Sequence, residues 1–205
     1  IGHYGSLTGS EATFGKSTSN GIRLAMKEVN EAGGINGRPI ALKEYDTRGD
    51  AGEAKLAVER LVKSDKVVAV LGEVASRLSL AGAPVCQGAK VPMITPSSTN
   101  EKVTQVGDYI FRVCFIDQFQ GFAGAKFARQ NLKAANAAIL VDQAQAYAVG
   151  LAHEFKTNFV SMGGKIVTEQ SYTGGAQDFT AQLTSIRSTK PDVIYIPGYY
   201  TDVGN

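Results

Sequence analysis

The sequence predicts an α/β protein of two doubly wound lobes, each a parallel sheet with helices on both faces. Three observations carry this expectation. Strand-like runs alternate with helical stretches along the whole chain, the order that yields parallel sheets joined by crossover helices. Two of the strand runs, residues 67–71 and 137–141, are continuously apolar, as strands covered on both faces are. The alternation then starts afresh after Phe115-Ile116-Asp117, which divides the chain into lobes 1–116 and 117–205.

Taken in order, IGHYG reads as the end of a strand and runs into a Gly/Ser/Thr-rich loop, 5–15. A helix is expected over 16–32, with Ile22, Met26 and Val29 on one face and Gly33-Gly34 as its stop. Residues 39–46 read as a strand and 51–64 as a helix, its apolar positions filled by Leu56, Val58, Leu61 and Val62. The buried run 67–71 follows, then a helix over 78–89 and strands over 91–95 and 109–115. In the second half, helices are expected over 118–131, 150–162 and 179–188. Strands are expected over 137–141, 165–172 and 193–196, and Gly163-Gly164 ends the middle helix.

The 205 residues are 43% hydrophobic and 20% charged, ordinary for a globular chain. No run approaches the ~18 consecutive apolar residues of a membrane span. The formal charge is +2 and the Lys and Arg residues are dispersed, so the basic stripe that nucleic acid requires is missing. Histidine occurs only as His3 and His153, and the two cysteines, Cys86 and Cys114, form no CxxC pair. Whether those cysteines pair with each other is not readable from their spacing. No GxSxG, HExxH or Cys/His arrangement is present, so no catalytic residues, metal or cofactor are expected. Asp46, Asp117, Asp142 and Asp178 are scattered and read as caps and turn residues. The chain opens in IGHYGSLTG without a leader, which is compatible with export because exported chains lose theirs.

Parallel sheets of this kind bind ligands at the carboxyl ends of their strands. The loops placed there are GSLTGSEATFG, GEVASRLS, TPSSTN, DQAQAYAVG and PGYYTD. Ser76, where a helix should begin, reads either as an N-cap or as a hydroxyl that receives an anion beside free helix amides. TPSSTN repeats the equipment one strand later with Ser97, Ser98 and Thr99. Two adjacent strand ends so equipped point to a shared carboxylate site, whereas phosphate lacks its GxxxxGK[ST] run. The second half offers Tyr147, Tyr199 and Tyr200 at matching places, with one wet and one apolar end each. Phe14, in the first loop, is a further aromatic candidate.

The ordered series GSLTG…FG, NEAGGINGRPI, EYDTRGD, GEVAS, VPMITPSSTN, YIFRVCFIDQFQG and YIPGYYTD resembles the substrate-binding proteins of branched-chain amino acid ABC transporters. The resemblance implies two Rossmann-like lobes closing on ligand by a hinge, the type I periplasmic binding protein fold. It implies that Ser76, Ser97 and Thr99 hold the α-carboxylate of an aliphatic amino acid and that Val74 and Ala75 shape its side-chain pocket. Tyr147 and Tyr199 would cover the ligand, Phe14 would be the first-loop aromatic, and Phe115, Ile116 and Asp117 would form the hinge. Family members run longer than this chain, so the C-terminal part of the fold is expected to be missing, with the acidic partner of the ligand's ammonium. The implied partners are the amino acid and a membrane permease, for a monomer outside the cytoplasm that binds no nucleic acid. Arg77 reads as a solvated residue or as a second positive charge for an acidic ligand. Alternatives are a sensory domain of the same fold, or a transport protein for an amide or aromatic acid.

Overall fold

The computed structural model describes residues 1–205, and the chain divides into two compact units, Ile1–Cys114 and Phe115–Asn205. In the first unit, β1 (Gly2–Gly5), β2 (Lys43–Asp46), β3 (Val70–Leu71), β4 (Met93–Thr95) and β5 (Ile110–Arg112) form one parallel sheet. Their order is β2-β1-β3-β4-β5. The chain therefore moves outward from β1 to β2 and returns past β1 to β3. With right-handed crossovers, this reversal sends α1 (Ala12–Glu31) and α2 (Ala51–Glu59) to opposite faces. It also leaves a switch point between β1 and β3.

Asp50 starts α2 as a side-chain cap, accepting from the Glu53 amide at 2.9 Å. A π-turn, Arg60–Ser64, carries the same helix on to the end expected for it. α2 packs along α3 (Ser76–Ala89), and a short α4 (Lys102–Gln105) leads into β5. Tyr4, Val58, Leu61, Leu78, Cys86 and Met93 are fully buried between these helices and the sheet. The α1 face is thinner. There Ile22, Met26 and Val29 line an open apolar cleft of about 470 Å³ with Ile40 and Leu71.

In the second unit, β6 (Asn136–Asp142), β7 (Lys165–Tyr172) and β8 (Val193–Tyr195) form a parallel sheet in the order β7-β6-β8. The reversal here places α6 (Ala146–Ser161) and α7 (Thr180–Ser188) on opposite faces. β6 shows the consequence residue by residue. Ala137, Ile139 and Val141 pack with Phe155 and Phe159 of α6 and with Ala125 of α5 (Asp117–Lys126). Ala138 and Leu140 pack with Tyr172 and Ile186 on the other side. A π-turn, Phe127–Asn131, extends α5, and a short α8 (Tyr200–Val203) follows β8.

Several expectations need correction. The run 67–71 is not a strand buried on both faces: only Val70 and Leu71 pair, and Val68 is 76% exposed. Residues 67–69 instead connect the π-turn to the sheet, with the Val67 amide donating to Leu61. α1 begins at Ala12 and α6 at Ala146, each four residues before the expected start. Phe14 and Tyr147 therefore stand in first helical turns and not in loops. Cys86 is buried and Cys114 is half-buried. No helix is long and apolar enough to cross a membrane.

Candidate functional site

In the first unit the switch point brings the loops after β1 and β3 side by side, with those after β2 and β4 flanking them. Ser76 opens α3, but it is not the cap: Ala75 occupies that position in extended backbone, and no side chain caps the helix. The buried Ser76 Oγ instead accepts from the Asn100 amide at 3.2 Å. An oxygen that accepts this N–H keeps its own proton to donate. The same bond joins the GEVAS loop to the end of TPSSTN. Val74 and Ala75 precede Ser76 directly, Val74 half-buried and Ala75 buried.

TPSSTN is held from both sides. The Ser98 amide donates to Thr95 Oγ1 at 3.0 Å, a local serine/threonine turn. Ser98 Oγ lies 3.0 Å from the carbonyls of both Glu73 and Val74. Arg112 of β5 then donates to the carbonyls of Ser98, Asn100 and Glu101 at 2.8, 2.9 and 3.1 Å. A guanidinium presents its donors in a rigid fork, so one side chain satisfies three carbonyls of an irregular turn. Ser97 is exposed, while Thr99 and Asn100 are each 7% exposed.

Beneath these loops lies a buried polar layer. Glu73 Oε1 accepts from Ser6 Oγ at 2.7 Å and Thr47 Oγ1 at 3.1 Å, and Oε2 accepts from the Ala75 amide at 2.9 Å. Ser6 Oγ is also 3.5 Å from Glu11. Arg77 donates to Glu11 at 3.3 Å and to the Gly49 carbonyl at 2.6 Å. Arg77 therefore ties the start of α3 to the start of α1 and to the loop after β2, which rules out a purely solvated role. Burial pushes the Glu11 carboxyl above its usual range, with the Arg77 charge opposing.

In the second unit, Tyr147 and Tyr199 stack with ring centroids 5.5 Å apart and planes inclined by 17°. Gln120 donates to the Tyr147 hydroxyl at 3.1 Å. Burial raises the Tyr147 phenol, which the Gln120 bond opposes and the Asp117 charge reinforces. Asp117 is 3% exposed and stands in the first turn of α5, after Ile116 as cap. Phe115 is 54% exposed. Tyr200 opens α8 and is 47% exposed.

The expected residues thus gather as two groups, Ser76 with the 97–99 turn and Tyr147 with Tyr199. Of the scattered aspartates, Asp46, Asp142 and Asp178 accept loop amides as turn residues should. Sequence reasoning missed Glu73, Ser79, Thr95 and Arg112, the residues that hold the loops. A charged residue within the apolar FRVCF strand was the one available signal, for Arg112.

Strand-end hydroxyls on a doubly wound sheet, with a second unit of the same build, define a class of ligand-binding protein. Residues 1–205 match the family model for the periplasmic binding proteins, and the chain belongs to that family. An amino acid binding protein of Pseudomonas aeruginosa is 35% identical over 205 residues, all of this chain and 54% of the relative. A Leu/Ile/Val-binding protein, BraC3, of Rhizobium johnstonii is 34% identical over all of this chain and 55% of its own length. Among solved structures, the leucine binding protein LivK of Thermotoga maritima superposes with TM-score 0.94 at 42% identity, covering 99% of this chain and 57% of that one. LivJ of Streptococcus pneumoniae, in complex with isoleucine, gives TM-score 0.93 at 34% identity, covering 100% and 58%. A solute binding protein of Rhodopseudomonas palustris in complex with 4-hydroxybenzoate gives 0.86 at 26%, covering 95% and 52%. The fold is that of the type I periplasmic binding proteins. The chain spans about half the length of the relatives it matches.

Proposed function

We propose that this chain belongs to an extracytoplasmic solute-binding protein that captures a free aliphatic, branched-chain amino acid and hands it to an ABC permease. One observation carries the reading. Ser76 accepts the Asn100 amide and keeps its hydroxyl proton, at the meeting of two strand ends that also carry Ser97 and Thr99. Neutral donors gathered at strand ends suit a carboxylate, which gains more from charge-assisted bonds than a neutral ligand would. Val74 and Ala75 supply apolar contacts for an aliphatic side chain, and Tyr147, Tyr199 and Phe14 supply aromatic cover.

In this reading residues 1–116 and 117–205 act as lobes, Phe115, Ile116 and Asp117 absorb the hinge torsion, and ligand shifts the population toward closure. The protein works as a monomer without cofactor, catalysis or nucleic acid. The naming of LivK as a leucine binding protein and the isoleucine complex of LivJ support the choice of ligand.

The test is a thermal-shift screen of the whole protein against the amino acids, short amides and aromatic acids. A ligand at 100 times its Kd adds about 2.7 kcal/mol, enough to displace a melting curve clearly. Leu, Ile or Val should give the large shift. Ser76→Ala and Thr99→Ala should each weaken that binding about 10- to 100-fold, the worth of a hydrogen bond to a charged group. A shift only with an aromatic acid, as for the R. palustris relative, would overturn the ligand. Unchanged affinity in both variants would overturn the site.

A further inference from the structure

We propose that Glu73 is the positioning residue of this site: its carboxylate and its main-chain carbonyl together clamp the loop that presents Val74, Ala75 and Ser76. This rests on the ligand site assigned above, and goes on to say what holds that site in shape.

Glu73 is 1% exposed, and its two ends are used in opposite directions. The carboxylate reaches across the switch point, where Oε1 takes the hydroxyls of Ser6 after β1 and Thr47 after β2, at 2.7 and 3.1 Å. Its other oxygen turns back onto the loop and takes the Ala75 amide at 2.9 Å. The main-chain carbonyl points the other way, within 2.5 Å of Thr95 Oγ1 and 3.0 Å of both Ser79 Oγ and Ser98 Oγ. One residue therefore joins the ends of β1, β2, β3 and β4 and the first turn of α3. The bonds to Ala75 and to its own carbonyl hold the loop without spending the Ser76 hydroxyl.

The chemistry of the contacts fixes what can replace it. All three groups facing the carboxylate are donors, so an acceptor is required toward Ala75, where the partner is a main-chain N–H that cannot reverse. Toward Ser6 and Thr47 the partners are hydroxyls, which accept as readily as they donate. Glutamine fits both demands, with its carbonyl oxygen on Ala75 and its amide nitrogen on the hydroxyls. Alanine fits neither: it leaves the buried Ala75 amide without its acceptor and the Ser6 and Thr47 hydroxyls with only each other, 3.1 Å apart, and Glu11 to bond.

The experiment compares Glu73→Ala with Glu73→Gln in the whole protein. Hydrogen exchange of the peptide spanning 70–80 is read without ligand, and affinity is read for the best amino acid from the screen. The alanine variant should exchange about tenfold faster in this peptide while peptides of β6 and α6 stay unchanged, and should bind about tenfold or more weakly. The glutamine variant should stay within about threefold of the parent on both readings, a rescue that loss of general stability would not produce. Should the alanine variant fail to fold, Thr47→Val and Ser6→Ala, each removing one donor to Oε1, are read in the same way with smaller factors. Unchanged exchange in the alanine variant, or in both of these, overturns the proposal. Loss in the glutamine variant equal to that of alanine also overturns it. If the parent binds no amino acid, the functional reading fails, and the exchange comparison still decides the role of Glu73.

Discussion

Two glycine-to-alanine changes in the same unit should move stability in opposite directions. Gly15 lies in the first turns of α1 where the helix presses on the end of β1. A Cβ there would fall 2.5 Å from the Ser6 carbonyl carbon and closer still to its oxygen. Ordinary contact begins near 3.4 Å. The obstacle is backbone, so the helix itself must back away by about an ångström, and overpacking of this kind costs about 1–3 kcal/mol. The gain from replacing glycine in a helix, about 0.5–1 kcal/mol, offsets part of it. Gly88, in the last turn of α3, is exposed, and a Cβ there meets nothing within 4 Å. Gly88→Ala should therefore keep the full propensity gain. The propensity gain is common to both, so the two variants should differ by the overpacking cost, about 1–3 kcal/mol, or roughly 2–12 °C in melting temperature for a chain of this size. Urea unfolding followed by circular dichroism, with the parent alongside, measures both. The displaced Ser6 also bonds Glu73 at 2.7 Å, so Gly15→Ala should weaken ligand binding as well. Equal stability of Gly15→Ala and the parent, or equal losses in the two variants, would refute the packing argument.

Two further outcomes follow from burial and charge. His3 is 1% exposed in β1, and burial holds its pKa below the ordinary 6.5, a lowering that nearby Glu44 opposes. A depressed folded value means that stability is present above pH 6.5 and lost as pH falls through the folded value. Glu44 adds to the loss further down: burial raises it, but bonds from Ser19 and Arg23 prevail and hold it below 4.5. Glu11, raised by burial, acts in the opposite sense and gains stability on acidification. The urea midpoint should therefore fall between pH 7 and 5.5 in the parent and flatten in His3→Gln; identical slopes would remove His3 as the cause. Among the thiols, burial pushes Cys86 up to about 12, so a thiol reagent at pH 8 should label Cys114 quickly and Cys86 only on unfolding. Mass spectrometry of the labelled peptides checks this, and rapid native labelling of Cys86 would contradict its burial.

The alternation of elements was legible because each is specified locally. The β6 run is apolar at every position since both its faces are covered, and Asp50 starts α2 through a bond to its own third neighbour, Glu53. Element starts were less legible where a distant partner sets them. Glu11 precedes α1 without capping it, and its place is set by Arg77, 66 residues away. The run 67–71 misled because an apolar stretch reads the same whether or not neighbouring strands cover all of it, and Val68 is left in solvent.

The candidate site divides along the same line. That strand-end hydroxyls at Ser76, Ser97 and Thr99 and tyrosines at 147 and 199 were worth attention follows from residue type and position in the alternation, which are one-dimensional facts. That Ser76 is not a cap was decided in three dimensions, when the Asn100 amide 24 residues on took the oxygen that a cap would have used. Arg77 was likewise open in the sequence, and its bonds to Glu11 and the Gly49 carbonyl exclude the purely solvated reading. Glu73 was invisible altogether. An acidic residue after a glycine at a strand end reads as solvated, and its hydroxyl partners lie 26 and 67 residues away. Periodicity records which face a residue is on, but a buried carboxylate is stable only with donors, and only the sheet order brings β1 and β2 to supply them.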